Sequence, residues 1–73
     1  MEINDKKIRI ELKKKGWSVR DLSEEIGMSF QNTYLVLTTK VTKFATVEKI
    51  ADALGVKAKD LIKWPFNGGS IDG

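Results

Sequence analysis

Apolar residues recur along the chain at intervals of three and four, and no window shows sustained alternation of apolar and polar positions. Gly or Ser stands at most of the breaks between these stretches. The pattern predicts five short helices and no strand. The first runs from Asp5 to Lys15, with Ile8 and Leu12 four apart on one face. Lys13, Lys14 and Lys15 fill its last turn, where cations suit the helix dipole. Gly16 then fits the C′ position, which favours positive φ. The second helix opens at Ser18, because Ser18-Val19-Arg20-Asp21 places an acidic residue three after a capping hydroxyl. Leu22 and Ile26 are its inward pair, and it stops at Gly27.

Ser29, after Met28, is a second N-cap, and the third helix runs from Phe30 to Thr38. Its apolar positions, Phe30, Tyr34, Leu35, Val36 and Leu37, are too many for one buried stripe. Thr38 to Lys43 reads as a loop. The fourth helix takes Phe44 to Leu54, with Phe44, Val47, Ile50, Ala51 and Leu54 on one face. Gly55 ends it, and Val56 stands where the hydrophobic contact of a Schellman motif falls. A fifth, short helix is expected over residues 57–63, with Leu61 and Ile62 inward. Pro65 prevents its continuation, leaving the aromatic tail Trp64-Pro65-Phe66. Residues 67–73 are Gly-rich and expected to be loose. The expected division is one domain over residues 1–63 and a tail over 64–73, with Trp64 or Phe66 buried on the core or against a second subunit.

Composition narrows the chemistry. With 73 residues the chain has room for only a thin core, a situation that favours a second subunit. It has no Cys and no His, so disulfides, thiolate or imidazole metal sites, and Ser-His or Cys-His catalysis are excluded. No apolar run approaches the length of a membrane span, and residues 1–15 alternate charge with isolated Ile and Leu, unlike a secretory leader. A cytoplasmic protein without cofactor, membrane association or small-molecule ligand is expected. The net charge is +3 and unevenly placed. Residues 1–20 carry Lys6, Lys7, Arg9, Lys13, Lys14, Lys15 and Arg20 against three carboxylates, whereas residues 21–28 carry only Asp21, Glu24 and Glu25. That acidic stretch is expected to face away from any polyanion. No base, metal ligand or Gly-rich phosphate loop accompanies these carboxylates, so the chain is not expected to be an enzyme.

Two short helices joined through Gly27-Met28-Ser29 match helix-turn-helix spacing, with Leu22, Ile26, Met28 and Val36 where that unit buries apolar groups. The same spacing fits an αα-corner in a small bundle. The rest of the chain adds a resemblance. The stretches LKKKGWS (Leu12 to Ser18), VRDLSEEIGMS (Val19 to Ser29), TVEKIADALGV (Thr46 to Val56) and KDLI (Lys59 to Ile62) make residues 5–62 resemble the phage-repressor and Cro-type family. The resemblance implies an all-α, lambda-repressor-like bundle of five short helices, with helices two and three as the helix-turn-helix. It implies a DNA-binding transcriptional regulator that binds double-stranded operator DNA, usually as a two-fold homodimer. The third helix of such proteins lies in the major groove and the second lies across the backbone.

Carried over residue by residue, the family's base-reading positions are Ser29, Phe30, Gln31, Asn32 and Leu35. Gln31 and Asn32 have the amide that reads adenine N6 and N7, and Phe30 and Leu35 suit thymine methyls. The phosphate-gripping positions are Ser18, Val19, Arg20, Thr38, Thr39, Lys40 and Lys43. Backbone N–H groups at a helix start bind phosphate without side-chain charge, which is all that Val19 can offer. The same residues also fit plain roles: Gln31 and Asn32 as solvated helix surface, Phe30 as packing between helices.

The chain departs from the family in three places. Thr39 stands where Gly often follows helix three, and Thr33 where Ile or Val is usual. Leu12 and Leu37 occupy the positions of a partly buried Arg–Glu pair that often joins helix one to the end of helix three. Replacing both charges together is physically coherent, since changing one alone strands the other. Leu12 and Leu37 are therefore expected to touch. The competing function is a protein-interaction module on the same fold that does not bind DNA. It draws on the uncharged stretch from Ser29 to Thr39, with Phe30, Tyr34 and Leu35 as candidates for exposure.

Overall fold

Side-chain caps set where the helices begin in the computed structural model, which describes residues 1–63. Helix α1 (Asp5–Lys15) starts where Asn4 Oδ1 accepts the Lys7 N–H at 3.1 Å. Helix α2 (Val19–Ile26) starts on a full capping box: the Asp21 N–H donates to Ser18 Oγ at 3.1 Å, and the Ser18 N–H donates to Asp21 Oδ2 at 2.9 Å. Helix α3 (Phe30–Thr39) starts where Ser29 Oγ accepts the Asn32 N–H at 3.1 Å. Helix α4 (Phe44–Leu54) has no side-chain cap at its start. A left-handed residue ends each helix; between α2 and α3 it is Gly27, at φ 71°, with open space around it. That glycine serves the turn through its backbone freedom and not through tight packing.

Three expectations need correction. Helix α3 runs one residue further, to Thr39. The fifth helix is a 3₁₀ turn of four residues, Ala58–Leu61. Its cause is long-range: Ile62 turns extended (φ −96°, ψ 141°) and bridges Ile3, so the helix cannot reach Lys63. Phe44, expected inward, is 44% exposed, because the core side of α4 is filled by Thr46, Val47, Ile50, Ala51 and Leu54. The expected burial of Trp64 or Phe66, and the tail as a unit, lie outside the described residues.

Residues 1–4 have a role that the helical pattern gave no sign of. The Ile3 N–H donates to the Lys40 carbonyl at 2.9 Å, the Asn4 N–H to the Leu61 carbonyl at 2.7 Å, and the Lys63 N–H to the Glu2 carbonyl at 3.1 Å. Isolated antiparallel bridges pair Glu2 with Val41 and Ile3 with Ile62. The segment thus lies between the chain that leaves α3 and the chain that leaves the 3₁₀ turn, and Ile3 is buried in the core.

The core gathers Ile8 and Leu12 of α1, Leu22 and Ile26 of α2, Leu37 of α3, and the inner face of α4, closed by Ile3, Leu61 and Ile62. Leu12 and Leu37 are both buried in this one cluster. Thr33 is fully buried, and its hydroxyl donates to the Ser29 carbonyl at 2.9 Å. That bond satisfies the hydroxyl within its own helix and makes Thr tolerable at a fully buried position. Helix α2 packs against both α3 and α4, whereas α3 packs extensively against α2 alone.

Glu11 carries the main electrostatic feature of α1. It receives Lys7 Nζ at 3.2 Å and Lys14 Nζ at 3.4 Å. The hydrogen bond from Lys7 is the chief cause that holds its carboxyl below the ordinary value of 4.5. A depressed folded-state value means that this contribution is present above the unfolded value and is lost as pH falls through the folded one. Glu11→Gln is therefore expected to flatten the acid limb of a stability-against-pH curve measured by urea unfolding. An unchanged limb would show that Glu11 is not coupled to folding.

Candidate nucleic-acid interface

Because α3 is anchored along one side, its other side is open. Thr33 and Leu37 point inward and Val36 is partly buried, while Gln31, Asn32, Tyr34 and Leu35 are exposed. Tyr34 is 48% and Leu35 56% exposed, high values for such side chains. The side-chain amides of Gln31 and Asn32 make no hydrogen bond among the described residues, so their donors and acceptors face solvent. Ser29 is exposed at the helix start, with Oγ engaged as the cap. Phe30 differs from its neighbours in being half-buried. The Arg20 guanidinium lies over its ring, 4.4 Å from the centroid, and the Tyr34 ring lies 6.0 Å away on the other turn.

The polar and cationic positions around α3 fall into two groups. At the start of α2, the capping box consumes the Ser18 N–H, whereas Val19 and Arg20 hold first-turn N–H groups that no helical carbonyl can reach. The Asp21 carboxylate belongs to this same helix end. Glu25 lies elsewhere, in a groove with Lys49 and Asp52 between α2 and α4. After α3 come Lys40 and Lys43, both exposed. Lys43 makes no ion pair among the described residues, and Lys40 approaches Asp5 only at 3.9 Å. The Thr38 hydroxyl donates toward the Tyr34 and Leu35 carbonyls, and the Thr39 hydroxyl to the Leu35 carbonyl at 2.7 Å. Either would have to give up its helical bond before donating outward.

The left-handed residue after α3 is Lys40, at φ 64°, and not Thr39, the position where Gly was expected to be missing. A Cβ in this region costs about 1 kcal/mol or more. The 3.9 Å approach to Asp5 is half-exposed and offsets little of that. Lys40→Gly is expected to stabilise the fold by about 0.5–1 kcal/mol in thermal or urea unfolding. A loss of stability would mean that the side chain supports the turn.

Two features of the site escaped sequence reading. One is the placement of the Arg20 guanidinium over the Phe30 ring, which joins different helices. The other is the pinning of the post-α3 chain by residues 1–4, through the Lys40 carbonyl and the bridge at Val41. Neither leaves a periodic signal. Among the described residues, no helix is long and apolar enough to cross a membrane, and no acidic cluster is arranged to hold a metal ion. Three grooves among the described residues run along α4, between α2 and α4, and at the start of α1, and none of the three is lined by a residue of α3.

No curated protein and no solved structure matches the chain. The family model for the Cro/C1-type HTH DNA-binding domain matches residues 7–67, which bears out the resemblance read from the four sequence stretches. With most of its length inside that match and an all-helical fold of four α-helices over the described residues, the chain belongs to the Cro/C1-type helix-turn-helix DNA-binding domain family.

Proposed function

We propose that the protein is a sequence-specific DNA-binding transcriptional regulator. In this reading α2 and α3 form the helix-turn-helix, α3 enters the major groove, and residues 1–63 are the DNA-binding unit. Two copies bind as a homodimer on a two-fold site. The observation that carries it is the one-sided anchoring of α3. The helix is fastened through Thr33 and Leu37 and offers on its open side the amides of Gln31 and Asn32, which are unpaired among the described residues. Ser29 and Leu35 share the base-facing role. Phosphates are held by the start of α2, through Ser18, the Val19 N–H and Arg20, and by Lys40 and Lys43 beyond α3. Thr38 and Thr39 border that second phosphate site and join it once their hydroxyls rotate. Absence of charge on α3 itself fits sequence reading, since phosphate contacts position and base contacts specify.

Fluorescence anisotropy with random duplex DNA at about 50 mM salt, followed by selection of bound sites from a random pool, tests the reading. Micromolar or tighter binding that weakens with salt, and an enriched two-fold sequence, are expected. No binding at low salt would move the exposed Tyr34 and Leu35 to the competing role of a protein interface.

A further inference from the structure

Arg20, like Lys15 over Trp17, is held by an aromatic ring, whereas five other cations of the described residues approach carboxylates. Arg9 approaches Asp5, Lys7 and Lys14 hold Glu11, Lys40 approaches Asp5, and Lys63 approaches Glu2. Arg20 has no carboxylate partner among the described residues, and its guanidinium lies over the Phe30 ring. Phe30 is the first residue of α3 and Arg20 the second of α2, so the stack spans the two helices proposed to meet DNA. Tyr34, one turn on from Phe30, backs the ring at 6.0 Å with a 30° tilt. A guanidinium stacked on a ring keeps the N–H donors of its edge directed outward, in the planar fork that matches two phosphate oxygens.

We propose that Phe30 is a positioning residue and not a base reader: its ring, backed by Tyr34, fixes the Arg20 guanidinium so that its edge grips one DNA backbone phosphate in bidentate fashion. This rests on the DNA-binding reading above and assigns Phe30 a different part within it. The role requires a π face and a planar cation together. Leu at position 30 keeps apolar bulk but loses the face, Tyr keeps the face, and Lys at position 20 keeps the charge but loses the plane.

The test is a double-mutant cycle on the full chain, read as affinity for a preferred and a random duplex. Thermal unfolding is recorded for every variant, so that a loss of fold is separated from a loss of positioning. Phe30→Leu is expected to weaken both duplexes by the same factor, about two- to fivefold per DNA-binding unit, the range of one exposed cation–π interaction. Phe30→Tyr restores affinity. In an Arg20→Ala background Phe30→Leu has no further effect, and Arg20→Lys matches Phe30→Leu in direction. A loss confined to the preferred duplex, or an undiminished effect of Phe30→Leu without Arg20, overturns the positioning role while leaving DNA binding intact. If the unaltered chain binds neither duplex, the DNA-binding reading falls, and the positioning role falls with it.

Discussion

Leu37→Ala is expected to destabilise the protein by about 2–4 kcal/mol, the cost of emptying a well-packed leucine site. Leu37 is 1% exposed and belongs to the same buried cluster as Leu12. A domain of this length has about 4–11 kcal/mol in all, so the change removes a large share of it. Urea unfolding measures it directly. The family resemblance implies an Arg–Glu pair at these two positions, and that gives a sharper test. Leu12→Arg alone and Leu37→Glu alone each place an uncompensated charge in the core and are expected to cost more than the alanine change. The double variant is expected to recover much of that stability, because the charges then face one another. Simple additivity of the two single effects would mean that Leu12 and Leu37 do not meet.

Gln31→Ala is expected to lower affinity for the preferred DNA site by about 1–3 kcal/mol, roughly fivefold to a hundredfold, and to leave random DNA almost unaffected. The amide carries no charge and has no competing partner among the described residues, so its removal is expected to lower discrimination without altering electrostatics or stability. Lys43→Ala is expected to give the opposite signature. It should weaken preferred and random DNA alike and reduce the salt slope by about one unit for each phosphate left without its lysine, or about two for a dimer. Lys43 suits this comparison better than Lys40, whose left-handed backbone mixes stability with binding. Both variants belong in one titration series over salt concentration. A changed salt slope for Gln31→Ala, with an altered sequence preference for Lys43→Ala, would reverse the assignment of α3 to the groove.

The element on which each candidate interface residue sits was readable from the sequence, because Gly27 and the capping serines mark where α2 and α3 begin and end. What each side chain does there was not. Phe30 reads in sequence either as a thymine-methyl contact or as packing between helices, and in space it lies beneath Arg20. Thr38 and Thr39 read as phosphate donors, but their hydroxyl hydrogens are committed to carbonyls one turn back. A motif places Cα atoms; the orientation and occupancy of donors depend on which neighbours reach them.

The sequence by itself determined the starts and ends of the four α-helices to within a residue. It also determined their inward positions Ile8, Leu12, Leu22, Ile26, Val47, Ile50, Ala51 and Leu54. These features are set within a turn or two of chain, by a hydroxyl three residues before an amide, a glycine able to turn left-handed, or an apolar repeat of three and four. Only the tertiary structure decided that Ile3 completes the core and that Ile62 leaves the last helical turn as an extended residue. It alone placed Phe44 in solvent, Lys40 at the left-handed exit of α3, and Arg20 over Phe30. Most of these outcomes depend on residues distant in sequence: the Ile3 N–H meets the Lys40 carbonyl and Ile62 bridges Ile3 across nearly the whole described chain. The physical reason is range. Caps and periodicity act through bonds and neighbouring turns, whereas these interactions exist only after separate helices have buried their apolar faces against one another.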